Sequence, residues 1–338
     1  MKDNVIIFCT FNFLSPLTLH LLPLVMLPNF FIIGVAKAGT TSVQQYLKQH
    51  PEVYLPPIKE TNYFAVPDLD IEHMRRDVRY GLKVDVDAYI RGGMKKELHN
   101  ALVKDWEQYR ALFSGAKEVK AVGEICPTYL MVPGSLDRIR EKLPEAKIVA
   151  ILRHPVERAF SAYMMFLRDG KTLSHHFAEE ALIDYESERK GWGVSLCYLD
   201  EGFYAEKLKH LYSLFPEEQV KIYLYEKDLR ERPEFFLQDL FSFLGVNPDF
   251  QPDQSQEFNV KGTPRYPWLN YMAAQLGFVR QFARRHLPEG FKKRLMNQLY
   301  QREGLPRLSE DDRKRLMPLF KEDIRETEKL LGRETGWE

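Results

Sequence analysis

The chain has 338 residues, and Lys+Arg and Asp+Glu both total 48, so its formal net charge is zero. That length accommodates one large α/β domain or two small ones, and an apolar content of 44% is enough for a sizeable core. Balanced charge argues against a generic nucleic-acid binder. The three cysteines, Cys9, Cys126 and Cys197, offer neither a disulfide framework nor metal-ligand spacing and fit a reducing compartment.

No charged residue lies between Asp3 and Lys37. Residues 5–27 are apolar enough to raise a membrane anchor. Pro16, Pro23 and Pro28 interrupt the run, Asn12 and His20 lie inside it, and Lys2 and Asp3 cancel at its start. Three readings stay open for residues 1–25: upstream sequence ahead of a natural start at Met26, a peripheral or buried apolar extension, or an anchor. Without an anchor, the cysteine usage implies a cytoplasmic protein.

From there, short apolar runs alternate with amphipathic segments, as in parallel βα units. Phe30–Gly34 is the first predicted strand and Thr40–His50 its helix, closed by Pro51. The segment between them is Val35-Ala36-Lys37-Ala38-Gly39, a strand–loop–helix phosphate cradle. Its spacing mimics the Walker loop G-x-x-x-x-G-K-[ST], but Thr40 stands at the Walker lysine position and the cation sits earlier, at Lys37. A lysine there would lie beside a transferred group or its leaving oxygen.

Lys59 and Glu60 follow in Lys59-Glu60-Thr61-Asn62-Tyr63-Phe64, and Asp68–His99 is charge-rich without clear periodicity, an insertion over the sheet or a lid. Val119–Gly123 reads as a strand, Ser135–Leu143 as a helix and Ala146–Leu152 as a buried strand. Pro155–Leu167 opens with proline in its first turn. Phe203–Phe215, Val220–Tyr225 and Pro233–Leu244 continue as helix, strand and helix, and Leu269–Glu338 is helical and heavily charged. No repeat or Gly/Ser linker divides the chain, so residues 26–338 are expected to form a single domain. Among the histidines, His154, His175 and His176 have no partner spacing and read as structural or exposed.

A second anion signal lies in Arg153-His154-Pro155-Val156-Glu157-Arg158-Ala159-Phe160-Ser161. Arg153 emerges at the carboxyl edge of the sheet, and Ser161 follows about two helical turns on. A guanidinium and a hydroxyl from these positions suit a phosphate. A salt bridge to Glu157 is the plainer reading for Arg153, and a structural ion pair the expected one for Arg158. Two anion sites at two strand ends match a nucleotide with phosphate on both the 5′ and 3′ sides of its ribose.

On these residues the chain resembles the sulfotransferases that use 3′-phosphoadenosine 5′-phosphosulfate (PAPS). Gly34–Ser42 is similar to their 5′-phosphosulfate loop and Arg153–Ser161 to their 3′-phosphate motif. Lys261-Gly262-Thr263-Pro264-Arg265-Tyr266-Pro267 is similar to the late loop that closes over the donor, and Gly202-Phe203-Tyr204 and Phe243-Leu244-Gly245-Val246 are similar to family landmarks. The resemblance runs from about Met26 to the C-terminus. It implies a P-loop-like central parallel sheet flanked by helices, with a helical C-terminal region. It implies donor contacts from Lys37, Ala38, Gly39, Thr40, Thr41, Ser42, Arg153, Ser161, Lys261, Gly262 and Arg265, and no metal.

Within that family the carbohydrate branch fits best. Gly123-Glu124-Ile125-Cys126-Pro127-Thr128-Tyr129-Leu130 is similar to the segment carrying the catalytic glutamate of heparan N- and O-sulfotransferases. That makes Glu124 the expected general base, with Lys37 and Lys261 neutralising developing charge in an in-line transfer. Lys59 and Glu60 would face the acceptor, a glycan or small molecule bearing a hydroxyl or amine. No cysteine lies beyond Cys197, unlike the animal heparan enzymes, which carry a disulfide before the late loop; this implies a soluble, bacterial-style relative. The alternatives are a P-loop nucleotide kinase, which would place lysine where Thr40 stands, and a non-catalytic nucleotide-binding module.

Overall fold

Five parallel strands, β1 (Phe30–Gly34), β2 (Val53–Tyr54), β5 (Ala121–Ile125), β6 (Lys147–Leu152) and β7 (Val220–Leu224), form a sheet in the order β2-β5-β1-β6-β7. The structure is a computed structural model that describes residues 26–255 apart from 175, residues 306–338, and positions 263, 264, 268, 271, 272, 300 and 301 between them. A second parallel pair joins β3 (Ile58–Glu60) to β4 (Leu98–Asn100). The described helices are α1 (Thr40–Gln49), α2 (Arg76–Gly81), α3 (Val86–Arg91), α4 (Trp106–Ala111), α5 (Thr128–Met131), α6 (Gly134–Lys142), α7 (Pro155–Asp169), α8 (Phe177–Tyr185), α9 (Ala205–Leu214), α10 (Pro233–Leu244) and α11 (Glu310–Leu331). The expected α/β architecture with helices flanking a central parallel sheet is therefore present.

Strands covered on both faces read as continuous apolar runs rather than alternating ones. Every residue of β1 and β5 is buried, and all of β6 except Lys147. β1 lies at the centre, between β5 and β6, and the chain crosses over it in passing from one to the other. Such an order reversal opens a crevice at the carboxyl ends of the strands, where ligands of open α/β sheets bind.

Several boundaries shift by one or two residues from the sequence expectation, and two of these shifts have a clear physical reason. Pairing with β1 sets Phe30 opposite Gly123 and Phe31 opposite Glu124, so β5 starts and ends two residues later than the apolar run suggests. The ninth helix starts at Ala205 rather than Phe203, because the Asp323 carboxylate accepts from both Tyr204 N (2.7 Å) and Ala205 N (3.0 Å). That carboxylate comes from α11, which is capped by Ser309, ends at left-handed Gly332, and buries Leu316, Phe320 and Ile324. The Asp68–His99 segment holds α2, α3 and part of β4 rather than irregular chain. Residues 1–25, and with them the question of an anchor, lie outside the described residues, as does most of the expected helical stretch before residue 306. Among the described residues no helix is long and apolar enough to cross a membrane.

Gly123 is required by packing. A Cβ there would lie 2.0 Å from the Phe30 ring, far inside contact distance. Gly81, at the end of α2, would meet nothing within 4 Å. We expect Gly123→Ala to lose about 1–3 kcal/mol in chemical denaturation from overpacking, whereas Gly81→Ala should be neutral or slightly stabilising. Equal midpoints for the two variants would contradict this account of β1–β5 packing.

Candidate active site

A cleft of about 1700 Å³ opens at the carboxyl end of the sheet, walled by the loop after β1, the end of β3, the start and outer face of α7, and the segment around α2. The loop after β1 is built by two positive-φ residues. Lys37 has φ 72° and Gly39 φ 84°. A Cβ on Gly39 would come within 2.5 Å of Leu229, so glycine is needed there on both counts. The first helix then begins at Thr40 with no side-chain cap and no acid in its first turn. Its first N–H groups have no intrahelical acceptor, and the helix dipole adds positive potential at the same end, which together suit an anion. Lys37, Gly39, Thr40, Thr41 and Ser42 line the cleft. Ala38 does not: it is fully buried, and its N–H donates to the Val35 carbonyl at 3.2 Å.

The Lys37 ammonium has Met165 Sδ at 3.7 Å. Burial first, and then the nearby Arg168 and Arg153 charges, lower its pKa to about 8. Desolvation and like charge both disfavour the ammonium here, so an incoming anion would be drawn to it.

Arg153 leaves the end of β6 and reaches back to the first loop, where its Nη1 donates to the Lys37 carbonyl at 2.7 Å. Its guanidinium lies 4.8 Å from the centroid of the Tyr225 ring. Its Nε is buried without a hydrogen-bond partner, and Glu226 is 4.0 Å away. Nη1 is thus held by the Lys37 carbonyl and Nε faces Glu226, while the residue lines the cleft and adds positive charge to its wall. Ser161 lines the same cleft. Glu157 does not hold Arg153; it pairs with Arg313 of α11 at 2.5 Å. Arg158 is a buried structural pair with Glu201 at 2.8 Å, as expected. His154 caps α7, with Nδ1 accepting from Glu157 N at 3.5 Å; burial and the neighbouring Arg313 lower its pKa to about 4, which fits a neutral structural role.

The two glutamates have different surroundings. Glu124 is completely buried and does not line the cleft. Its Oε1 accepts from Thr61 Oγ1 (2.5 Å), Thr61 N (3.2 Å) and Tyr129 OH (2.9 Å), and its Oε2 accepts from Tyr109 OH (2.8 Å). Burial raises its pKa to about 6 despite those donors. Glu60 lines the cleft with its side chain 13% exposed. It accepts from Lys59 Nζ at 3.1 Å and Asn100 Nδ2 at 3.2 Å, with His99 3.7 Å away. Lys59 also donates to Thr41 Oγ1 at 3.2 Å, tying β3 to the first helix. The sequence expectation of Glu124 as the base thus meets a carboxylate enclosed by three hydroxyls and a backbone amide, with Glu60 at the cleft wall instead.

Lys261, Gly262 and Arg265 lie outside the described residues. Tyr225, Glu226, His99 and Arg313 were missed in the sequence. None belongs to a local motif, and Arg313 and His154, which approach to 3.2 Å, are 159 positions apart.

Comparison with known proteins follows the same lines. A solved sulfotransferase from Alicyclobacillus acidocaldarius superimposes with a TM-score of 0.66 at 30% identity, covering 93% of this chain and 99% of that one. Human carbohydrate sulfotransferase 15 is 25% identical over 249 residues, covering 66% of this chain and 44% of that protein. The membrane-associated sulfotransferase kil1 of Dictyostelium discoideum is 30% identical over 168 residues, covering 49% of this chain. The chain spans 29% of the length of kil1 and 44% of that of the human protein. A family model described as the Sulfotransferase family matches residues 28–251. The chain belongs to the sulfotransferase family.

Proposed function

We propose that this protein transfers a sulfuryl group from PAPS to a hydroxyl or amine of a carbohydrate acceptor, on a free glycan, a glycolipid or a small glycoside. Membership of the family supports sulfuryl transfer. The observation that carries the donor is the pairing of two cationic groups across one cleft: the uncapped start of α1 with Lys37, and the Arg153 guanidinium with Ser161. The carbohydrate acceptor draws support from what human carbohydrate sulfotransferase 15 is named for. Buried free thiols at Cys126 and Cys197 support a reducing, cytoplasmic setting. We read residues 26–338 as one sulfotransferase domain.

When bound, the donor supplies a sulfuryl group on an activated phosphosulfate anhydride. In this reading the first-turn N–H groups of α1, with Thr40, Thr41 and Ser42, hold the 5′ phosphate, and Arg153 and Ser161 hold the 3′ phosphate. Lys37 neutralises charge on the leaving oxygen, and Lys261 and Gly262, with Arg265, close over the donor. Glu60 takes the acceptor proton, because it is the carboxylate in the cleft wall, and Lys59 orients the neighbouring groups. Glu124 is then a positioning residue. By accepting from both the N–H and the hydroxyl of Thr61, it fixes the residue next to Glu60. A magnesium-dependent kinase is the weaker reading, since Thr40 occupies the position of the Walker lysine.

Three outcomes test this. Glu60→Gln should lower kcat by about 10²–10⁴ while 3′-phosphoadenosine 5′-phosphate (PAP) still binds, and Glu124→Gln, which disturbs only the placement of Glu60, should lower it by less; the reverse ranking would return the base to Glu124. In thermal-shift titrations PAP should stabilise the protein by about 2.7 kcal/mol at a hundredfold excess over Kd, independently of magnesium and well ahead of AMP, whereas stabilisation by Mg-ATP alone would favour the kinase. PAP affinity should also fall as pH rises above about 8. There the free protein has lost the Lys37 proton that the bound anion requires, so affinity should decline by up to about tenfold per pH unit. Lys37→Gln should flatten that profile, and an unchanged slope would remove Lys37 from the anion site.

A further inference from the structure

The chain end packs behind the Arg153 site, beyond the residues that the family model matches. Trp337 is 2% exposed and among the largest fully buried side chains. Its Nε1 donates to Glu226 Oε2 at 3.3 Å. The other oxygen of that carboxylate accepts from His154 N at 3.1 Å and lies 4.0 Å from Arg153 Nε. The Trp337 ring is 5.6 Å from Tyr204, whose hydroxyl donates to the Arg153 carbonyl at 2.6 Å. Glu226 itself stands in a six-residue π-helical segment, Tyr225–Arg230, which also supplies the Tyr225 ring beneath the guanidinium. The tail is pinned to that segment by Lys227 Nζ on the Glu334 carbonyl (3.0 Å) and by Arg333 on Asp228 (2.8 Å). π-helical turns are rare and are frequent at functional sites.

We propose that Trp337 is a positioning residue for the 3′-phosphate site: it orients Glu226 and Tyr204, and through them the side chain and backbone of Arg153. Its N–H holds one Glu226 oxygen, which leaves the other to fix the start of α7 beside Arg153. Its ring backs the tyrosine that fixes the Arg153 carbonyl. The tail thus acts first on the half of the donor site that reads the 3′ phosphate, and it reaches the first-loop half only through the Arg153–Lys37 hydrogen bond. This inference rests on Arg153 binding the 3′ phosphate, as argued above.

The test is isothermal titration of the full-length protein with PAP and with AMP, which lacks the 3′ phosphate. Trp337→Ala should weaken PAP by about tenfold, the loss expected from a disturbed charged hydrogen-bond partner, while AMP binding falls by clearly less. Retained AMP binding also reports that the variant is folded. Trp337→Phe keeps the ring and removes the N–H, so its preference for PAP over AMP should fall between wild type and Trp337→Ala. Equal weakening of both ligands, or an unchanged preference for PAP in both variants, overturns the positioning role. A wild-type protein that binds PAP no better than AMP would instead overturn the Arg153 assignment itself, and the inference with it.

Discussion

The hydrogen bond from Arg153 to the Lys37 carbonyl joins the two halves of the site. A non-glycine residue in the left-handed region costs on the order of 1–2 kcal/mol, and Lys37 adopts φ 72°. Strain of this kind persists where surrounding contacts over-determine it. The Arg153 guanidinium supplies one such contact across adjacent strands, and Val35 N on the Ile151 carbonyl at 2.8 Å supplies another. The same guanidinium that fixes the first loop turns its buried Nε toward Glu226. The geometry of the loop after β1 is therefore not independent of that of Arg153.

A second constraint operates below the cleft. Glu124 lies in the middle of the sheet, where an unsatisfied carboxylate would be costly. Two tyrosine hydroxyls and both polar groups of Thr61 close around it, and Phe31, Phe64, Tyr109 and Tyr129 pack as edge-on aromatic neighbours. Such a network is rigid when fully satisfied. It fixes Thr61, and Thr61 fixes the end of β3, where Glu60 and Lys59 meet the cleft. A fully buried carboxylate thus sets the position of one that lines the cleft.

The helical C-terminal region packs behind the cleft wall that Arg153 forms. Asp323 caps α9, Arg313 occupies Glu157, and Trp337 reaches Glu226. By taking Glu157 it leaves Arg153 without the local salt bridge that sequence spacing would suggest. Contacts separated by more than 100 residues thereby determine which charges near the cleft remain available to a ligand.

Much was legible in the sequence because local physics dictates it. The apolar run of β1 ending at glycine, the proline opening α7, the left-handed glycine closing α10 and the displaced lysine each carry their own structural reason within a few residues. So does the family resemblance, which rests on short motifs in order. The register of β5 was not legible: a charged residue after an apolar run reads as a strand end, and only pairing with β1 draws Glu124 into the sheet and away from the cleft. The sequence by itself determined the parallel α/β frame and the turns that follow β1 and β6, since periodicity, proline and glycine act locally. Tertiary structure alone decided which glutamate meets the cleft and which groups hold Arg153, because burial and long-range hydrogen bonds exist only once distant segments are packed together.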